Sequence, residues 1–319
     1  MTTLNSRNVA FFGTSDRSIP ILEVLKANFN LKLIITKDDV RFGRKQELKE
    51  TQVKQWAKRN QVHFITIDKL SSDKSEEIIE QIKYLEIDLG IVADFSFIIP
   101  EKIINAFPFK MVNIHFSNLP KYRGASPVQF SILNGDLTTG IAFYILDKGL
   151  DTGEILEIVN FDIKPNDTAD TLYENMFLKA SELVPNVINK YIEGKLTPRP
   201  QNHEEATYTY SATNPKRTTI DKNDAYITST FDQQRTDRFV RAFFPWPVAW
   251  TYVEKLVANP IFNLKNLNLK NKDVEKLRIK IYEGSVNENH YIPAKIQLEG
   301  GKIIDWKDFL NGYFEKVTR

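Results

Sequence analysis

The sequence predicts a doubly wound, mostly parallel α/β domain followed by a smaller β-rich domain, and three observations carry that prediction. Short β-branched and aromatic runs alternate with helically spaced apolar residues over residues 1–194. A polar, proline-bearing segment interrupts the pattern at 195–206, and strand-like runs dominate from 207 to 319. A chain of 319 residues is long for one compact domain and comfortable for two.

Taken in order, Asn8–Phe12 (NVAFF) and residues 31–36 (LKLIIT) read as strands, punctuated by Gly13 and by Lys37-Asp38-Asp39. Leu89–Ala93 (LGIVA) and 111–116 (MVNIHF) read the same way. Between them Ile19–Asn28, 51–60 and 75–85 space their apolar residues at the helical period. Strands alternating with helices fit a parallel sheet covered on both faces, the Rossmann-like arrangement. The turn Phe12-Gly13-Thr14-Ser15 has one glycine where a dinucleotide fingerprint needs three, so a nicotinamide cofactor is not supported. Residues 168–191 predict a long closing helix, with Thr168 able to cap it and Leu172, Met176, Leu183, Val187 and Tyr191 on one face. Pro198 and Pro200 then favour an extended linker. Beyond it, 250–253, 276–282 and 292–298 predict strands, and about 232–242 a helix.

Composition narrows the function classes. With 42% hydrophobic and 26% charged residues the chain is globular rather than disordered or fibrous. No apolar stretch approaches the roughly 20 residues of a membrane-spanning helix. The first residues lack the apolar core of a secretory signal, so the expectation is a cytoplasmic protein with no membrane partner. The absence of cysteine excludes disulfides, thiolate nucleophiles and cysteine-held zinc or iron–sulfur centres. Imidazole chemistry has four candidates, His63, His115, His203 and His290. Residues 207–319 hold 18 Lys and Arg against 13 Asp and Glu, while 1–206 hold 25 against 28, so the positive excess lies in the C-terminal third. It suits a polyanionic partner, or a solvated basic surface.

The chemistry concentrates between residues 113 and 151. Asn113 and His115 sit two apart on a predicted strand, so both side chains project from one face. Pro120 and Gly124 force a loop directly after it, where ligands bind in doubly wound sheets. Downstream, Asp147-Lys-Gly149-Leu-Asp151-Thr-Gly153 can present a carboxylate. Asn113 can donate to a developing oxyanion, His115 can pass protons near neutral pH, and Asp151 can orient and stabilise the imidazolium. Singly, such residues are more often structural: a satisfied strand histidine, or an aspartate in a turn.

The whole string, Asn113-Ile-His115-x-Ser117-x-Leu119-Pro120-x-Tyr-Arg123-Gly124-x-x-Pro127 followed by Asp147-x-Gly149-Leu-Asp151-Thr-Gly153, resembles the signature of the folate-dependent formyltransferases. The resemblance puts the family's Asn–His–Asp triad on Asn113, His115 and Asp151. It implies 10-formyltetrahydrofolate as formyl donor and no metal. It puts folate contacts on Ser117, Asn118, Leu119 and Pro120, with Asn118 a departure, on Phe95 and Ile98, and on Asp147 and Gly149. Phe11-Phe12-Gly13-Thr14, Thr207-Tyr208, Arg241 to Pro247 and Asp308 to Tyr313 are similar to the branch that acts on initiator methionyl-tRNA. That branch implies an OB-like, tRNA-binding barrel at 207–319, a catalytic domain at 1–194 and a monomer. Its basic loop falls on 36–54 and implies tRNA contacts at Arg41, Arg44 and Lys45; residues 37–59 hold eight basic and four acidic side chains. Sugar-nucleotide N-formyltransferases share the triad and form the second reading. Three departures stand out: a loop at 37–50 about two residues short with Phe42 before Gly43, Asp94-Phe95-Ser96 in place of Ala-Tyr-Gly, and about twenty residues missing between Val286 and Gly301.

Overall fold

The computed structural model describes residues 7–42 and 47–316. The first strand, β1 (Asn8–Phe12), leads to α1 (Ile19–Asn28), β2 (Asn30–Lys37), a small hairpin of β3 (Val40–Phe42) and β4 (Glu47–Lys49), α2 (Gln52–Arg59), β5 (His63–Ile67), α3 (Ser72–Tyr84) and β6 (Leu89–Ala93). Then come α4 (Glu101–Ile104), β7 (Met111–His115), α5 (Pro127–Asn134), β8 (Thr138–Ile145), β9 (Ile155–Asp162) and α6 (Ala169–Ile192). The remainder comprises α7 (Gln233–Ala242), β10 (Ala249–Tyr252), α8 (Val253–Ala258), β11 (Leu267–Leu269), β12 (Arg278–Asn287), β13 (His290–Leu298), β14 (Ile303–Asp305), α9 (Trp306–Tyr313) and β15 (Phe314–Lys316).

Seven strands form one sheet in the order β5-β2-β1-β6-β7-β8-β9. The pairs β2–β5, β1–β2, β1–β6 and β6–β7 are parallel, and β7–β8 is antiparallel. This is the expected mostly parallel sheet. Its central strands are apolar throughout because both faces are covered: every residue of β6 is buried, and so are four of five in β1. The helices start where side chains can meet their free N–H groups. Thr51 accepts from Lys54 N ahead of α2, and Ser71 from Lys74 N ahead of α3. β1 has β2 on one side and β6 on the other, so the chain direction of the crossovers reverses there. The carboxyl ends of β1 and β6 are tied together: Thr14 N and Thr14 Oγ1 both donate to the Asp94 carbonyl, at 3.1 and 2.9 Å.

The chain divides into two compact units at places other than 195–206. One comprises residues 1–123, 139–161 and 173–207; the other comprises 124–138, 162–172 and 208–319. The reason is visible in the second unit, where α5 and the segment before α6 are bound to α7. Arg238 Nε donates to the Leu133 carbonyl at 3.2 Å, and Arg241 Nη1 to the Asp167 carbonyl at 2.9 Å. The proline-bearing segment belongs wholly to the first unit. It runs extended, as its prolines require, but it pairs: Arg199 and Ile155 exchange backbone hydrogen bonds of 2.9 and 2.8 Å.

The second unit is β-rich. β10, β12, β13 and β14 form a four-stranded antiparallel sheet, and β11 pairs with β15. Its core joins Ile279, Ile281, Tyr291 and Ile296 to Phe231, Phe239 and Phe243, whose rings meet edge-on at 4.9 and 4.6 Å. Where the expected barrel is short, β12 and β13 close as a tight hairpin, with Asn287 opposite His290 and Glu288 left-handed at φ +51°. Two elements differ from the sequence reading. Val253 opens α8 rather than ending a strand, and Lys276 closes a 3-10 turn over Lys272–Lys276 instead of opening β12.

Candidate active site

β7 alternates, so Asn113 and His115 share a face, and the antiparallel register sets Tyr144 of β8 directly opposite Asn113. Asn113 Nδ2 donates to Tyr144 Oη at 3.0 Å, and Tyr144 Oη donates to Asp151 Oδ1 at 2.6 Å. The other Asp151 oxygen lies 3.8 Å from His115 Nδ1. The three residues expected from the sequence are therefore brought together, and a fourth, Tyr144, links two of them.

The electrostatics of this cluster follow from burial. His115 is 6% exposed and Tyr144 fully buried. Burial, then the charge of Asp151, pushes the Tyr144 phenol well above its ordinary value, so it remains a donor. His115 Nε2 lies 2.9 Å from the Tyr122 carbonyl. A carbonyl only accepts, so Nε2 carries a hydrogen while Nδ1 faces the carboxylate.

Asp151 itself adopts a left-handed backbone, φ +52°, uncommon outside glycine. Gln201 holds it there. Gln201 Nε2 donates to the carbonyls of Asp151 and Gly153 at 2.9 and 2.8 Å. Gln201 Oε1 accepts from Arg123 Nε and Nη2 at 3.2 and 2.7 Å, and Arg123, 1% exposed, also meets His203 Nδ1 at 3.1 Å. Thr207 fixes the opposite wall: Tyr122 N donates to Thr207 Oγ1 at 2.8 Å and Arg123 N to the Thr207 carbonyl, also at 2.8 Å. The segment read as a linker, together with Thr207 just beyond it, thus straps down both the loop that accepts from His115 and the loop that carries Asp151.

The residues expected to contact folate fall into different environments. Asp147 Oδ1 accepts from Gly149 N and Thr152 Oγ1 at 2.9 and 2.7 Å, forming a tight turn. A side chain at Gly149 would meet Thr152 Oγ1 at 1.9 Å, which explains the glycine. Asp147 lines a cleft of about 340 Å³ together with Lys110, Glu154, Gln201 and His203. Ser117 and Leu119 turn inward: Ser117 Oγ donates to the Lys121 carbonyl at 2.5 Å, and Leu119 packs with Ala142, Tyr144 and Ile155. The Asn118 Oδ1 atom is buried without a hydrogen-bond partner and sits where a side chain at Gly140 would be, 1.9 Å from that position. Pro120 gives its carbonyl to Thr207 N. Phe95 stacks edge-on against Phe12 at 5.5 Å, whereas Ile98 is 92% exposed.

Of the residues expected to contact tRNA, Arg41 lies on β3, paired with Leu48, while Arg44 and Lys45 lie outside the described residues. In the second unit, β10 and β12 bury Ala249, Thr251, Ile279 and Ile281 and turn Trp250, Tyr252, Arg278 and Lys280 to the other face. Trp250 and Tyr252 rings lie 5.6 Å apart, with the Arg278 guanidinium 5.9 Å from Trp250. Among the described residues no group of three or more His, Asp or Glu could hold a metal ion, and no helix is long and apolar enough to cross a membrane.

Tyr144, Gln201 and Thr207 were not singled out as site residues by the sequence. Tyr144 becomes visible only with the register between β7 and β8; Gln201 and Thr207 sit in or beside a stretch whose prolines point to a connector.

Comparison with known proteins identifies the family and the fold. Residues 7–188 match the family described as formyl transferase. A protein named methionyl-tRNA formyltransferase from Legionella pneumophila (strain Corby) is 30% identical over 313 residues, covering 97% of this chain and 96% of that one. Among solved structures, a methionyl-tRNA formyltransferase from Clostridium thermocellum covers 94% of this chain and all of that one, with a TM-score of 0.57 and 21% identity. An N-formyltransferase from Helicobacter canadensis, in complex with folinic acid and dTDP-3-aminofucose, covers 94% of this chain and 99% of that one at TM-score 0.56 and 21% identity. At these identities the two structures speak for the fold.

Proposed function

The chain belongs to the formyl transferase family, and from that premise we propose that it moves the formyl group of 10-formyltetrahydrofolate to the α-amino group of methionine on initiator methionyl-tRNA. The observation that carries this reading is the length of the likeness. It extends over 97% of the chain to a protein named for methionyl-tRNA, and so includes the β-rich C-terminal unit as well as the family's own domain.

The residues divide the work by chemistry. Asn113 keeps one amide N–H beyond the one it gives Tyr144, and this N–H stabilises the oxyanion that develops as the amine adds to the formyl carbon. His115, protonated at Nδ1, supplies positive charge to the same oxyanion, with Asp151 stabilising the imidazolium at 3.8 Å. One proton leaves the attacking amine and one is gained by the departing folate nitrogen; a water held by Asp151 carries it. No covalent enzyme intermediate is needed, because the amine can add directly to the formyl carbon. The buried Asn118 oxygen faces Gly140, so its part in donor binding is to shape the loop rather than to touch the ligand.

Acceptor recognition draws on charge and stacking. Lys265, Lys270, Lys272, Lys276 and Arg278 are exposed on the second unit, and the Trp250–Tyr252 face beside Lys280 suits unpaired bases and their phosphates. The test is formyl transfer by the purified chain with 10-formyltetrahydrofolate and either methionyl-tRNA or an amino-sugar nucleotide. Formylated methionyl-tRNA is expected. Transfer to the amino sugar alone would establish the sugar-nucleotide activity instead, and transfer to neither would overturn the reading.

A further inference from the structure

We propose that Tyr144 is a positioning residue that sets which way the Asn113 amide faces, so that an N–H and not the carbonyl oxygen meets the reacting centre. The inference rests on the oxyanion role given to Asn113 above and adds to it a residue that neither the family's triad nor the sequence motif contains.

The argument is one of hydrogen-bond polarity. Tyr144 Oη carries a single hydrogen, and its neighbours on the two sides are Asp151 Oδ1 at 2.6 Å and Asn113 Nδ2 at 3.0 Å. An ionised carboxylate has no hydrogen to give, so the phenol hydrogen is committed to Asp151. Toward Asn113 the phenol oxygen can then only accept. An amide whose carbonyl pointed at it would bring two acceptors together inside a buried site. Asn113 must therefore present its NH2 group to Tyr144, and the geometry of a planar amide fixes where the second N–H points. Asp151 thus determines the orientation of a residue it does not touch. The arrangement survives in place because burial, with the Asp151 charge, keeps the phenol protonated.

Register makes this possible. Asn113 and Tyr144 are direct cross-strand partners, and Asp151, left-handed at φ +52°, meets the Tyr144 hydroxyl from the following loop. The Tyr144 ring also stands edge-on to His115, centroids 6.5 Å apart, so a phenylalanine would keep the packing and remove only the hydroxyl.

The decisive variant is Tyr144→Phe in the full chain, measured beside the unsubstituted protein and Asn113→Ala. A hydrogen bond to a charged group is worth a factor of about 10–100, so kcat should fall by about that much while KM for donor and acceptor stays within about threefold. In the Asn113→Ala background the same change should cost less than about twofold, because the amide it orients is gone. A Tyr144→Phe enzyme with unchanged kcat overturns the proposal; so does an equal loss in both backgrounds, which would mean that Tyr144 acts on Asp151 alone. A second readout does not depend on activity. With 15N-labelled asparagine, one Asn113 side-chain proton, assigned by its disappearance in Asn113→Ala, should exchange slowly with solvent in the unsubstituted protein. Fast exchange there overturns the proposal even if Tyr144→Phe fails to fold. If the unsubstituted protein transfers no formyl group yet shows the protected proton, the activity reading fails and the orientation device stands.

Discussion

Gln201 offers a direct test of whether the proline-bearing strap belongs to the active site. Replacing it with alanine removes two hydrogen bonds to the carbonyls of Asp151 and Gly153 and two acceptor contacts from Arg123. At about 1 kcal/mol for each neutral bond and about 1.5 kcal/mol for each charge-assisted one, the loss is about 5 kcal/mol. For a unit of this size that is a fall in Tm of about 10–20 °C. It also frees Asp151 from a backbone conformation that costs about 1–3 kcal/mol to hold, so the carboxylate drifts from Tyr144 and His115. Gln201→Glu separates the two effects. The carboxylate keeps and strengthens the Arg123 contact but has no hydrogens for the two carbonyls, which it now faces acceptor to acceptor. Its Tm should lie closer to the unsubstituted protein than that of Gln201→Ala, while kcat should fall about tenfold or more, since misplacement of a catalytic group by about 1 Å costs that much. Differential scanning calorimetry and formyl transfer on one set of proteins read both quantities. If Gln201→Ala melts within about 1 °C of the unsubstituted protein and turns over at its rate, the strap has no hold on Asp151 and the reasoning fails.

Three further outcomes are expected. His115→Ala should lower kcat by about 10²–10³-fold with donor binding retained, and retention of more than about a tenth of the activity would reduce His115 to a packing residue. Arg44 and Lys45 changed together to alanine should weaken methionyl-tRNA binding and flatten its dependence on salt by about one unit of slope per phosphate contact, whereas an unchanged slope would leave the loop a solvated surface. In the second unit, burial works to raise Asp224, yet the Asp221 N–H, the Ser211 hydroxyl and Thr213 outweigh it and hold its carboxyl below the ordinary 3.8. A carboxyl depressed on folding contributes stability that is full above that ordinary value and is lost as pH falls through the depressed one. The acid limb of Tm against pH should therefore flatten below about pH 4 in Asp224→Asn, and superimposable limbs would rule the contribution out.

Much of the first unit was legible because its signals are local. The apolar runs that predicted β1 and β6 and the period that predicted α1 ended where the strands and helix end. The alternation of Asn113 and His115 needs only the two-residue period of a strand. Local propensity misled where packing overruled it, as at Val253, a β-branched residue after Trp250-Thr251-Tyr252 whose N–H bonds the Leu277 carbonyl as α8 begins. The division into units was not legible, because residues 124–138 and 162–172 join the second through contacts with α7, more than sixty positions along the chain.

The sequence by itself determined the strands β1, β2, β6 and β7, their apolar character and the residue types able to stabilise an oxyanion and pass a proton. Only the tertiary structure decided how those residues are aimed. Tyr144 meets Asn113 through a register between strands about thirty residues apart, and Gln201 reaches Asp151 across fifty. Such pairings are chosen by the burial of whole sheet faces and by the demand that each buried donor and acceptor find a partner, quantities that no local window of residues contains.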